Sequence, residues 1–251
     1  MRSLGHHLTL GALAPLVPVM LVQGKRVRST TPRLPDAGGE PHGAAGEGTR
    51  TLRIAVVGES TVSGVGARTF ARGLPGRLAV ELAGVTGARV AWRAVGQNGA
   101  TARRVTQLAA PTLAGESLDI AFVALGVNDV LEFTSIPRWR ADVGALCDVL
   151  VRDARARLVV LLGVPPMHRF PSLPQPLRAF LGTRARALDH ALGELAARRE
   201  RAVHVPTPAL GNPELYCEDR FHPSEHGYAG WAAHTVGALR PVLARQGIAA
   251  A

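Results

Sequence analysis

The sequence predicts an α/β domain: a parallel sheet with helices on both faces. Three observations carry this. From residue 52 to the end, apolar runs alternate with helical patterns. The runs are continuous rather than alternately apolar and polar, as in strands buried on both faces. The chain has 251 residues, 47% of them hydrophobic, which suits one sizeable domain with a short appendage.

Five parallel strands are expected, at 52–57, 89–95, 118–125, 158–164 and 202–205. Helical patterns fall between and after them, at 75–83, 101–109, 137–154, about 175–200 and 224–244. The fourth carries Leu188, Ala191, Leu192, Leu195 and Ala196 on one face, and the last aligns Tyr228, Trp231, Thr235, Val236 and Leu239. Aromatic residues are only 4%, so the core must come mostly from Ala, Val and Leu.

The first 51 residues read differently. Residues 1–28 form an apolar segment with a basic flank: the run from Leu8 to Val22 is followed by Lys25, Arg26 and Arg28. Fifteen residues is short of the roughly 20 needed to span a bilayer, and Pro15 and Pro18 weaken it as a helix. No convincing small-x-small cleavage site precedes the basic cluster. A membrane anchor, an interfacial segment and an arm packed on the domain all remain open. Membrane association through Leu8 to Val22 is the expectation, with the following domain on the cytoplasmic side. Residues 29–51, rich in Gly, Pro and Thr, read as a linker or strap, and the compact domain is expected over 52–245.

The formal net charge of +10 is almost wholly arginine, Lys25 being the single lysine. No arginine run is interleaved with stacking aromatics and no nucleic-acid motif is present, so no nucleic-acid partner is expected. Cys147 falls on the helical stripe Val143, Leu146, Cys147, Leu150 and Val151 and reads as core. Cys217 stands apart from it, and no metal-type Cys/His spacing exists.

In parallel sheets, active sites gather beyond the carboxyl ends of the strands. The first strand runs into Gly58-Glu59-Ser60, the second into Asn98-Gly99-Ala100-Thr101, and the third into Gly126-Val127-Asn128-Asp129. Beyond the last strand lies Asp219-Arg220-Phe221-His222-Pro223. A serine hydroxyl needs an adjacent base to become a nucleophile, and a carboxylate must then orient that base. Asp219 and His222, three residues apart, can deliver both from one short turn. Taken singly, each block is an ordinary turn or cap. Rival readings of the first turn fail on spacing: it lacks the second glycine and lysine of a P-loop. Thr69 stands where a dinucleotide fingerprint needs glycine or alanine, and Val62 breaks a Gly-x-Ser-x-Gly elbow.

The four blocks in this order resemble the SGNH hydrolases, a branch of the GDSL-type esterases and lipases. The likeness covers about residues 52–240. It implies a three-layer α/β/α, flavodoxin-like fold with Ser60 as nucleophile, His222 as base and Asp219 as its partner. It further implies an oxyanion hole made by the N–H groups of Ser60 and Gly99 and the Asn128 side chain, a small-molecule ester substrate, and no metal or organic cofactor. One departure stands out. The first block of the family usually reads Gly-Asp-Ser, whereas this chain has Glu59, whose extra methylene changes how the carboxylate reaches neighbouring loops. Asp129 follows the pattern and is expected to brace its turn. His226 is expected on the surface of the last helix, and His168 at the rim.

The expected function is hydrolysis of a carboxylic ester through an acyl-enzyme on Ser60. The alternatives are acyl transfer by the same triad, or a catalytically silent membrane-associated binding protein. Segments 68–75, 130–137 and 165–176 are the expected specificity loops, with Phe170, Leu173 and Leu177 as an apolar wall.

Overall fold

The computed structural model describes residues 16–248. One sheet of six strands runs through the centre, in the order β1-β3-β2-β4-β5-β6. The strands are β1 (His42–Ala45), β2 (Thr51–Gly58), β3 (Arg89–Gly96), β4 (Ile120–Ala124), β5 (Leu158–Leu162) and β6 (Ala202–Val205). Strands β2 to β6 pair in parallel, and their order is that of a flavodoxin-like sheet. β1 runs antiparallel along the β3 edge, so the sheet has six strands rather than the expected five.

The helices are α1 (Val17–Thr30), α2 (Leu74–Thr86), α3 (Ala102–Leu113), α4 (Val127–Leu131), α5 (Ile136–Arg152), α6 (Leu177–Ala197) and α7 (Glu225–Arg245). They form two layers, because successive strand residues point to opposite faces. Ala55, Val57, Ala121, Val123, Val159 and Leu161 pack towards α3, α5 and α6. Ile54, Val56, Ile120, Phe122, Val160 and Leu162 pack towards α2 and α7. Every residue of β4 and β5 is buried, which explains why those strands read as unbroken apolar runs.

β1 lies inside the segment expected to be a linker or strap. His-Gly-Ala-Ala has little strand propensity. It pairs because β3 otherwise ends the sheet, and because Gly43 lies over the Trp92 ring, where a Cβ would come within 2.8 Å of Cζ2. α1 covers part of the apolar run, whose residues 8–15 lie outside the described residues. Met20 is buried against the α3/α5/α6 core, and Gln23 ties the helix to the start of α6: its Nε2 donates to Gln175 O, and its Oε1 accepts from Leu177 N. Among the described residues, no helix is long and apolar enough to cross a membrane.

α5 and α6 are joined by Trp139, which is fully buried and donates from Nε1 to Leu188 O at 3.0 Å. Replacing Trp139 by alanine is expected to cost about 3–5 kcal/mol of stability through cavity formation. Urea unfolding followed by circular dichroism measures it.

Candidate active site

Parallel register places the functional turns. Gly58 pairs with Gly96 on one side and with Ala124 on the other, so β2, β3 and β4 end at one level. The turn after β2 closes through Val62 N and Ser63 N, both donating to Glu59 O, and Val65 N donates to Ser60 O. Ser60 is thus held in a tight, mostly buried turn.

His222 arrives from the far end of the chain. Its loop is pinched by Cys217 N donating to His222 O at 2.8 Å, with a bridge between Tyr216 and Pro223. Inside the pinch, Asp219 Oδ1 accepts from Phe221 N and His222 N at 2.9 and 3.0 Å. Asp219 Oδ2 lies 2.6 Å from His222 Nδ1, and His222 Nε2 lies 3.0 Å from Ser60 Oγ. Burial alone would raise the Asp219 carboxyl. The hydrogen bonds from the His222 ring and the two backbone N–H groups outweigh it and hold the carboxyl below its ordinary range.

Two contacts lock this loop to the serine turn. Tyr228 Oη, buried at the start of α7, donates to Val65 O at 2.6 Å. Cys217 Sγ lies 3.2 Å from both Gly66 O and Pro223 O. Burial pushes the Cys217 thiol up to about 11, so it serves as a neutral packing group. At the surface, Glu225 of α7 accepts from Arg68 N at 3.0 Å and pairs with Arg72.

The remaining expected residues converge on the same rim. Gly99 adopts a positive φ of 79°, a conformation that disfavours a side chain. Among the described residues, the backbone N–H groups of Ser60 and Gly99 donate to no protein acceptor. Asn128 sits in α4, where the sequence suggested only a turn. Its Nδ2 lies 2.5 Å from Glu59 Oε2 and 3.2 Å from Ala100 O. Asp129 braces the region as expected: Oδ2 accepts from Ala102 N at the start of α3, and Oδ1 from Thr134 Oγ1. Burial pushes its carboxyl up to about 6.

Glu59, Ser60 and His222 open onto a cleft whose walls are mainly apolar: Phe170, Phe221, Tyr216, Leu210, Pro165 and Pro166. Phe170 meets the Phe221 ring edge-on at 5.0 Å, and Phe221 in turn packs on His222. Leu173 and Leu177, expected beside Phe170, are buried in the α3/α5/α6 core instead. Tyr216, Leu210 and Trp231 line the cleft without having been expected there. Trp231 stood only in the α7 core stripe. His226 is exposed on α7, and His168 does not line the cleft. Among the described residues, no cluster of three or more His, Cys, Asp or Glu could hold a metal ion.

A flavodoxin-like sheet that brings a serine, a histidine and an aspartate into hydrogen-bonded line at its carboxyl end has the architecture of the SGNH hydrolases. Residues 56–229 match the GDSL-like Lipase/Acylhydrolase family, and the chain belongs to that family. It is 32% identical over 205 residues to a GDSL-like esterase of Mycobacterium tuberculosis, an alignment covering 76% of this chain and 63% of that protein. The chain therefore spans less than two thirds of that relative's length. Among solved structures it resembles TesA (TM-score 0.57, 21% identity, covering 76% of this chain and all of that one). It also resembles the psychrotrophic esterase EstA of Pseudoalteromonas sp. (TM-score 0.59, 15% identity, covering 76% and 98%). At these identities the structural likeness concerns the fold.

Tyr228→Phe removes the buried bond to Val65 O. It is expected to cost about 1–2 kcal/mol of stability, because the serine turn loses its tie to the helix that follows the His222 loop. Thermal unfolding reads the loss.

Proposed function

We propose that the protein hydrolyses carboxylic esters through an acyl-enzyme on Ser60. The observation that carries this reading is the relay from Asp219 Oδ2 to His222 Nδ1 at 2.6 Å and from His222 Nε2 to Ser60 Oγ at 3.0 Å. His222 Nε2 accepts the Ser60 proton as Oγ attacks the ester carbonyl, and Asp219 steadies the resulting imidazolium. The oxyanion of the tetrahedral intermediate is bound by Ser60 N–H, Gly99 N–H and the Asn128 amide. Collapse of the intermediate expels the alcohol, which takes the proton from His222. Water, activated by the same imidazole, then releases the acid. The aromatic and proline walls of the cleft favour an apolar acyl or alcohol portion. The family membership and the esterase name of the mycobacterial relative support the ester class.

Ser60→Ala is expected to lower kcat on a short-chain p-nitrophenyl ester by about 10⁴–10⁶, and Asp219→Asn by about 10⁴. A Ser60→Ala protein as fast as wild type overturns the reading. A fluorophosphonate probe separates it from a silent binding protein, because only an activated serine is labelled.

Attachment to an anionic membrane surface is favoured by a different observation. The inner side of α1 faces the body through Met20 and Gln23, while Leu21 and Val22 are 63% and 68% exposed. One turn further on, Lys25, Arg26 and Arg28 are exposed. Apolar residues followed along the axis by cations suit a helix that meets the bilayer at its N-terminal end, with its charges at the headgroups. Flotation with vesicles containing about a third phosphatidylserine is expected to carry the full chain upward. Leu21→Glu with Val22→Glu should leave it at the bottom; equal flotation of both overturns the assignment.

A further inference from the structure

Glu59 stands where the family usually has aspartate, and its contacts give it a part in the reaction. The residue is 2% exposed and opens onto the cleft beside Ser60. Oε1 accepts from Val127 N at 3.0 Å, and Oε2 from Asn128 N at 3.1 Å and Asn128 Nδ2 at 2.5 Å. Three N–H donors converge on one carboxyl group, a shell suited to the acceptor-only ion.

The consequence falls on Asn128. An amide nitrogen has two hydrogens, and here both have acceptors: Glu59 Oε2, and Ala100 O at 3.2 Å. In this arrangement Asn128 has no hydrogen left for a substrate oxyanion. An ionised Glu59 also places a negative charge close to where negative charge develops in the transition state. Protonation changes both. A proton on Oε2 turns that oxygen into a hydroxyl, a poorer acceptor that no longer holds two N–H groups, and the group becomes neutral.

We propose that Glu59 is a positioning residue that switches Asn128. As a carboxylate it holds the amide away from the substrate oxygen. As a carboxylic acid, protonated from solvent through the cleft, it frees a hydrogen of Nδ2 to complete the oxyanion hole. This rests on the acyl-enzyme reading above. Burial is the main cause that pushes Glu59 up to about 7, against the opposing pull of its hydrogen bonds, so both states are populated near neutral pH. The charged and titratable groups around it are few. Asp129, next in α4, raises Glu59 further. From the closing loop, His222 reaches Ser60, the residue after Glu59, with Asp219 bonded to the other side of its ring. On the α3 side, Arg104 is turned to Gln97.

The sign follows from the neutral form being the active one. As pH rises through about 7 the neutral fraction of Glu59 falls, and kcat/KM falls with it, approaching tenfold per pH unit. The decline levels off once donation by Asn128 is lost, about 10²–10³ below the maximum.

The test is the pH profile of kcat/KM on a p-nitrophenyl ester, corrected for spontaneous hydrolysis, for wild type, Glu59→Gln, Asn128→Ala and Ser60→Ala. Wild type is expected to decline above about pH 7. Glu59→Gln, which cannot ionise, should hold its rate there. Asn128→Ala should also lose the decline, lying near the wild-type alkaline floor throughout, and it decides the matter should Glu59→Gln fail to fold. A wild-type rate that stays level from about pH 7 to 9 overturns the proposal, as does a decline that persists in either folded variant. Ser60→Ala separates the two readings. If it remains active, the acyl-enzyme assignment has failed; if it is inactive while Glu59→Gln keeps the decline, only the Glu59 switch has failed.

Discussion

Strands β2, β3 and β4 stop at the same level because parallel pairing fixes Gly58 against Gly96 and Ala124. Everything at the site depends on that common edge. The serine turn, the Gly99 turn and α4 each begin one or a few residues beyond it, so their polar groups meet without long connecting loops. The opposite wall is brought by α7, whose first turn is bonded to the serine turn through Tyr228 and Val65. A rigid sheet edge and one fastened loop are enough to hold hydrogen-bond distances between residues 162 positions apart.

Burial around this edge does two opposite things to carboxylates. Asp219 is buried but receives three hydrogen bonds within its own loop, and it stays readily ionised. Glu59 is buried in a shell of similar size yet is pushed up to about 7, because desolvation outweighs its donors and Asp129 adds a like charge. The contrast separates a carboxylate whose donors outweigh its burial from one whose burial outweighs its donors.

Much of this was legible in the sequence, for physical reasons. β4 and β5, buried on both faces, leave unbroken apolar runs, and β2, β3 and β6 were read within a few residues from shorter runs interrupted by Arg53, Arg93 and His204. The four polar blocks were legible as well, since each follows a strand or closes the last connection. What escaped was set by contacts distant in sequence or by weak local signals. β1 is four residues of low strand propensity, recruited by an open sheet edge and the Trp92 ring. In α1, Pro18 counted against a helix, but it lies in the first turn, where a missing N–H costs nothing. The bond from Asn128 to Glu59 spans 69 residues, beyond any local sequence pattern. Leu173 and Leu177 carried the right character for a cleft wall, and only the path of the chain turns them into the core.

The separation of Ser60 from His222 also bears on how the chain folds. Their contact needs β2 near the start of the domain and the loop before α7 near its end. No short stretch of the chain contains both. Contacts of such sequence separation form late, after loop-closure entropy has been overcome. During refolding, recovery of secondary structure should therefore run ahead of formation of the contact between Ser60 and His222, which marks the completed molecule.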